Sequence, residues 1–200
     1  MGRYGVMGGT FDPIHLGHLV AAQAALHEFE LDAVYFVPSG QPPHKRHVTD
    51  GEHRYVMTLL ATAANPRFYT SRVEIDRVGY SYTYDTILYL RQEFNSDEIY
   101  FITGADVISH LHTWYRYREL LQVCHFVAAT RPGFAFDDAL QSSSLTAAEV
   151  ERISFLEVPS LAISSTDIRQ RVRDGRPIKY LVPSAVENYI YKHALYRSGE

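Results

Sequence analysis

Apolar residues along this chain fall into short runs that alternate with segments of helical period. The runs at 3–7, 33–37, 72–75, 99–103, 125–129 and 153–158 have strand length and are bounded by turn-forming or polar residues, so each is predicted as a strand. Between the first two, Leu19, Ala22, Leu26 and Phe29 recur at spacings that place them on one face of a helix. Helices are also predicted over 51–64, 82–94, 115–121, 165–173 and 184–193. A polar, Ser-rich stretch at 139–148 reads as a surface loop or a poorly ordered turn. Strand-helix alternation of this kind predicts an α/β fold, a doubly wound and mostly parallel sheet with helices on both faces, because parallel strands need right-handed crossovers. In such sheets ligands sit beyond the carboxyl ends of the strands. Functional residues are therefore sought just after strands.

With 200 residues, 46% of them hydrophobic, the chain is expected to form a single domain over 1–200, its last helices (about 164–195) making a small C-terminal helical part. The net charge of −4 and pI near 6.2 supply no global basic field, so a long nucleic acid is not an expected partner and phosphate-binding charge must be local. The single cysteine, Cys124, cannot form an internal disulfide and reads as a small buried hydrophobe in a reducing compartment. No run approaches the roughly 18 uninterrupted apolar residues of a membrane span. Met1-Gly2-Arg3-Tyr4 also enters a strand pattern with no signal-peptide core, which gives the expectation of a soluble, cytoplasmic protein without membrane attachment. A homo-oligomer is compatible with the sequence, and the fifteen tyrosines have no functional account.

The segment Gly8-Gly9-Thr10-Phe11-Asp12-Pro13-Ile14-His15-Leu16-Gly17-His18 follows the first predicted strand and opens the first helix, which is where doubly wound folds bind phosphate. Gly8 and Gly9 suit close approach of backbone to a nucleotide, and Asp12-Pro13 reads as a turn. His15 and His18, three apart, share a face at the positive end of the helix, and Gly17 between them leaves room for a base or ribose. The competing readings are a tight turn with helix-capping histidines, or a metal pair. No Glu or Cys partner stands at zinc spacing, so no protein metal site is expected.

A second segment, Ala162-Ile163-Ser164-Ser165-Thr166-Asp167-Ile168-Arg169, follows the last strand. Ser164 or Ser165 can cap the next helix, with Asp167 at the capping-box position relative to Ser164. Capping alone does not account for Arg169 one turn in, where a guanidinium beside hydroxyls and free N–H groups makes an anion site. Lys45, in Pro42-Pro43-His44-Lys45, is equally a phosphate-reaching cation or a solvated lysine. Asp106, after the strand ending at Thr103, reads as an N-cap. Trp114 reads first as a core residue, and Thr83 and Thr86 as the start of a helix.

These two segments resemble the nucleotidyltransferase superfamily with a His-x-Gly-His signature, and Gly8 to His18 is most similar to the bacterial nicotinate-nucleotide adenylyltransferases. The Ile-Ser-Ser-Thr-x-x-Arg motif of that family is matched at every defined position, and the resemblance spans nearly the whole chain. It implies a Rossmann-like nucleotidyltransferase fold and adenylyl transfer from ATP to nicotinate mononucleotide in NAD biosynthesis, giving deamido-NAD and pyrophosphate. ATP and nicotinate mononucleotide are then the implied partners, with Mg²⁺ accompanying ATP and held chiefly by phosphates and water. In the family the two histidines contact the ATP phosphates, which implies that role for His15 and His18, beside Gly8, Gly9, Thr10 and Phe11. Ile163, Ser164, Ser165, Thr166 and Arg169 are implied to hold the β- and γ-phosphates, Lys45 a substrate phosphate, and Gly104 with Asp106 the adenosine ribose. Thr83, Thr86, Trp114 and Tyr115 are implied to receive the nicotinate ring and its carboxylate. Rivals are a pantetheine-phosphate adenylyltransferase or cytidylyltransferase of the same superfamily, an NAD-binding oxidoreductase, disfavoured by the absence of Gly-x-Gly-x-x-Gly after the first strand, and a non-catalytic nucleotide sensor.

Overall fold

A computed structural model describes residues 2–41, 48–96, 98–130 and 145–197. Six strands, β1 (Arg3–Gly9), β2 (Ala33–Pro38), β3 (Phe68–Thr70), β4 (Glu98–Gly104), β5 (His125–Thr130) and β6 (Ile153–Glu157), form one parallel sheet in the order β3-β2-β1-β4-β5-β6. Helices α1 (Leu16–Glu28), α2 (Gly51–Thr62), α3 (Thr83–Phe94), α4 (Tyr117–Val123), α5 (Ala147–Val150), α6 (Ser165–Arg173) and α7 (Ser184–Lys192) connect or follow them, with a 3-10 helix at Ala105–Thr113. The doubly wound α/β expectation holds. Crossovers leave β1 toward β2 on one side and β4 pairs with it on the other, so the strand order reverses at β1/β4 and a crevice opens at their carboxyl ends.

Alternation along the strands divides the core into two layers. Met7 and Phe36 face one way and bury against Leu26, Met57, Ile168 and Val186, whereas Val6 and Val37 face the other and bury against Ile87, Leu90, Ile108 and Leu120. Each such side chain contributes about 1.5–3 kcal/mol of burial free energy. Ile178, Val182, Ile190 and Leu195 of the C-terminal segment belong to the first layer, so that segment is packed into the same core as β1. Cys124 is buried, its thiol pushed up by desolvation. Among the described residues, no helix is long and apolar enough to cross a membrane.

Several expected boundaries move. The third strand is at Phe68–Thr70, not 72–75: Arg72 pairs with Glu52 and with Asp76, closing a turn, and the buried side chain of 72–75 is Glu74, which accepts from Thr86, while Val73 and Ile75 are only half-buried. The helix expected at 115–121 starts at Tyr117 because residues 105–113 are already wound as a 3-10 helix, and α1 ends at Glu28, leaving Phe29 as its cap. Most of the Ser-rich stretch lies outside the described residues. Its final residues, Ala147 and Ala148, are helical rather than loop, because Thr146 and Glu149 form a reciprocal capping box at the start of α5. Finally, β1 runs through Gly8 and Gly9 instead of stopping at Met7.

Candidate active site

Gly8 and Gly9 therefore lie in the strand, and their missing side chains make room for rings. A Cβ on Gly9 would stand 2.8 Å from the Phe11 ring, and one on Gly8 would stand 3.3 Å from Phe101. Phe11 is buried with φ of 49°, a left-handed conformation uncommon outside glycine that turns the chain sharply off β1. After Asp12 and Pro13, His15 takes an extended backbone as N-cap of α1 and His18 occupies the third helical position.

The two imidazoles stack, with ring centroids 3.7 Å apart and planes at 26°, and Phe11 packs edge-on to His18 at 5.1 Å. The His15 N–H donates to His18 Nδ1 at 3.2 Å, so one histidine does cap the helix; in its neutral form His18 then carries its proton on Nε2, facing away from the cap. His15 is 8% exposed, burial drives its pKa down to about 4, and its Nδ1 has no hydrogen-bond partner among the described residues. The space at Gly17 is used by His15 itself, since a Cβ there would lie 3.0 Å from His15 Nδ1; the expected room for a base or ribose is taken.

The second segment meets the first. Arg169 Nη1 donates to the Asp12 carbonyl at 2.7 Å, and the Ser165 hydroxyl donates to the Pro13 carbonyl at 2.9 Å, bridging more than 150 residues of sequence. The Leu16 N–H, in the first turn of α1, donates to the Leu181 carbonyl. The starts of α1 and α6 are thereby joined and each presents a positive dipole end, although the Leu16 and His18 N–H groups of α1 are already bonded to the Leu181 and His15 carbonyls. Ser164 is the N-cap of α6, accepting from the Asp167 N–H at 3.1 Å; Asp167 does not complete a capping box, because its carboxylate takes Arg171 at 2.6 Å. Arg169 Nη2 lies 3.4 Å from Thr166 Oγ1, which leaves further guanidinium N–H groups for a ligand. Ile163 is half-buried beside this turn.

Two anchors of this region gave no signal in the sequence. Arg54 of α2 is 1% exposed and donates to four carbonyls: Thr49 at 2.8 Å, Thr10 at 2.9 Å, Ser39 at 2.6 Å and Gly40 at 3.0 Å. Burial lowers its pKa and nearby Asp12 opposes that shift. Lys45 lies outside the described residues, but the chain on either side of it, Gly40 and Thr49, is held to Thr10 by this one guanidinium. The second anchor is Tyr196, whose hydroxyl donates to the buried Asp12 carboxylate. An arginine near a helix start and one tyrosine among fifteen look unexceptional by pattern.

At the carboxyl end of β4, Gly104 and Asp106 are exposed. Gly104, not Asp106, is the N-cap of the 3-10 helix, which leaves the Asp106 carboxylate outside the capping role. Trp114 is half-buried, edge-on to Phe101 at 5.9 Å and part of the second core layer; Tyr115 is exposed and pairs with Tyr82 at 4.6 Å. Thr83 opens α3. Thr86 is buried and its donors are taken: the hydroxyl donates to Glu74 at 2.8 Å and the N–H to the Tyr82 carbonyl at 3.1 Å. Neither 82–86 nor 112–115 contains a Lys or Arg, but folding brings Arg77 to Thr86 at 3.0 Å. Burial raises the Glu74 carboxyl pKa, partly offset by the Thr86 hydrogen bond. Ser81 Oγ, just before α3, joins His15 Nδ1 as a buried polar atom without a partner among the described residues.

Residues 6–171 match the cytidylyltransferase-like family model. The chain is 58% identical to a protein of Moorella thermoacetica named "Probable nicotinate-nucleotide adenylyltransferase", over 98% of this chain and 92% of that one. It is 57% identical to one of Clavibacter michiganensis with the same name, covering 99% of this chain and 96% of the relative. In fold it is similar to Plasmodium falciparum nicotinic acid mononucleotide adenylyltransferase complexed with NaAD, with a TM-score of 0.77, 20% identity and 98% of both chains covered.

Proposed function

Because this chain belongs to the cytidylyltransferase-like family and, within it, to the nicotinate-nucleotide adenylyltransferases, we propose that it transfers AMP from ATP to nicotinate mononucleotide, giving deamido-NAD and pyrophosphate. It is thus a nucleotidyltransferase. The observation that carries the reading is the bond from Arg169 to the Asp12 carbonyl, which sets a guanidinium beside the His15–His18 pair at the carboxyl end of β1.

The mechanism that fits is direct displacement. A phosphate oxygen of the mononucleotide attacks the α-phosphorus of ATP while the bond to the bridging oxygen of pyrophosphate breaks on the opposite side. Such transfers depend on positioning and charge stabilisation and need no protein nucleophile. His18, whose Nδ1 accepts the cap N–H, is assigned to donate its Nε2–H to the phosphate on which charge grows. Arg169, with the first-turn N–H groups of α6 and Ser164, Ser165 and Thr166, is assigned to the β- and γ-phosphates. Neutral His15, Gly8, Gly9, Thr10, Phe11 and Ile163 shape the ATP pocket, Asp106 with Gly104 accepts the ribose hydroxyls, and Lys45 reaches a phosphate. Mg²⁺ entering with ATP would be held chiefly by phosphates and water.

The mononucleotide ring is assigned to Trp114 and Tyr115. Its carboxylate is assigned to the Arg77 cation and the first-turn N–H groups of α3 at Thr83, Tyr84 and Asp85, because the Thr86 donors are already used. Incubating the protein with ATP, Mg²⁺ and one acceptor at a time tests the whole reading through pyrophosphate release. Release is expected with nicotinate mononucleotide and not with phosphopantetheine, nor with CTP and phosphocholine. Release with either of those pairs alone would displace it.

A further inference from the structure

Asp12 stands at the centre of the first motif, yet it is buried, only 6% exposed. It accepts the Tyr196 hydroxyl at 2.7 Å and the Thr49 N–H at 3.3 Å, while its own carbonyl accepts Arg169 at 2.7 Å. Tyr196 reaches this place by a definite route. After α7 the chain turns through Ala194 at φ 52°, Leu195 buries in the core with its N–H on the Ile190 carbonyl, and Tyr196 follows at φ 65° with its hydroxyl also 3.9 Å from Met57 Sδ. A phenylalanine would fill the same apolar space. What the hydroxyl adds is chiefly its short bond to Asp12, beside weaker contacts with Met57 and Thr49, and a hydrogen bond to a buried carboxylate strongly fixes the group that accepts it.

We propose that Tyr196 is a positioning residue for adenylyl transfer: it holds the Asp12 peptide, and the carbonyl of that peptide sets the guanidinium of Arg169 on the triphosphate. The proposal rests on the functional reading above. It makes the turn at Ala194 to Tyr196 part of the ATP site, 184 residues from the motif it steadies. Tyr196 touches no substrate; its effect passes through Asp12.

Tyr196→Phe tests this. At a temperature well below melting, kcat/KM for ATP is expected to fall on the order of tenfold, the scale of one hydrogen bond to a charged group, with KM for nicotinate mononucleotide nearly unchanged. A tyrosine that only supported the fold would not produce that split. In an Arg169→Lys background, where an ammonium cannot reproduce the forked contact, Tyr196→Phe is expected to cost much less than in the wild type. Kinetics equal to wild type, or losses that simply multiply in the double variant, would overturn the proposal. If the Phe variant does not fold, Asp12→Asn keeps an acceptor oxygen but removes the charge; it is expected to lower kcat/KM for ATP in the same direction, and wild-type kinetics there would overturn the proposal equally. Wild-type protein inactive with ATP and nicotinate mononucleotide removes the functional reading itself, whereas an active wild type matched by its Phe variant removes only the role of Tyr196.

Discussion

At the residue scale the two histidines behave as different groups although their rings stack. His15 is held neutral by burial, with a folded pKa near 4 against about 6.5 in an unfolded chain. The unfolded state therefore binds more protons between pH 4 and 6.5, so stability rises with pH across that window and is lost as pH falls through it. The shift corresponds to roughly 3–3.5 kcal/mol. Urea midpoints measured from pH 7 to pH 4.5 are expected to drop more steeply for the wild type than for His15→Asn, and equal slopes would show that His15 does not carry this linkage. His18 accepts the cap N–H at Nδ1 and so presents a donor at Nε2 in its neutral form, and its proposed contribution is to the transition state. His18→Ala is expected to reduce kcat by on the order of 10² or more, the scale of one oxyanion-type donor. A kcat near wild type would confine His18 to helix capping.

Among the elements, α2 and α3 act through single buried polar side chains. Arg54 presents one guanidinium to four carbonyls from the loops after β1 and β2 and from the start of α2. Arg54→Met leaves those carbonyls unpaired in the interior and is expected to destabilise the fold by about 3 kcal/mol or more, read as a lowered urea midpoint. A loss within a few tenths would mean that water replaces the guanidinium freely. At α3, the first-turn N–H groups, the Arg77 cation and the indole of Trp114 together suit a flat cationic ring bearing a carboxylate. Trp114→Ala is expected to raise KM for nicotinate mononucleotide well above any change for ATP. The amide mononucleotide is expected to react with a kcat/KM lower by about 10² to 10⁴, since its NH₂ meets donors and forms no ion pair. Comparable values for acid and amide in a competition assay would discard the donor-site account.

Over the whole molecule, what was legible in the sequence was whatever follows from periodicity and local chemistry. The alternation of strand and helix led to the doubly wound parallel sheet, and the two signature segments led to the crevice between β1 and β4. What escaped was set by long-range partners. Val73 and Ile75 gave 72–75 the look of a strand, but the turn there buries Glu74 against Thr86 instead, and it brings Arg77 to α3. Arg54 and Tyr196 depend on loops that pattern reading cannot bring together. The glycines of the first segment read as space for a ligand, yet at Gly9 and Gly17 the space holds Phe11 and His15.

All of this converges on one claim, that the segments around His18 and Arg169 form a single triphosphate site. A crystal structure of the protein with a nonhydrolysable ATP analogue measures it directly. The expected result is a triphosphate whose oxygens lie within hydrogen-bond distance of both His18 Nε2 and the Arg169 guanidinium, with Arg169 still on the Asp12 carbonyl. Phosphates bound away from either side chain would contradict it.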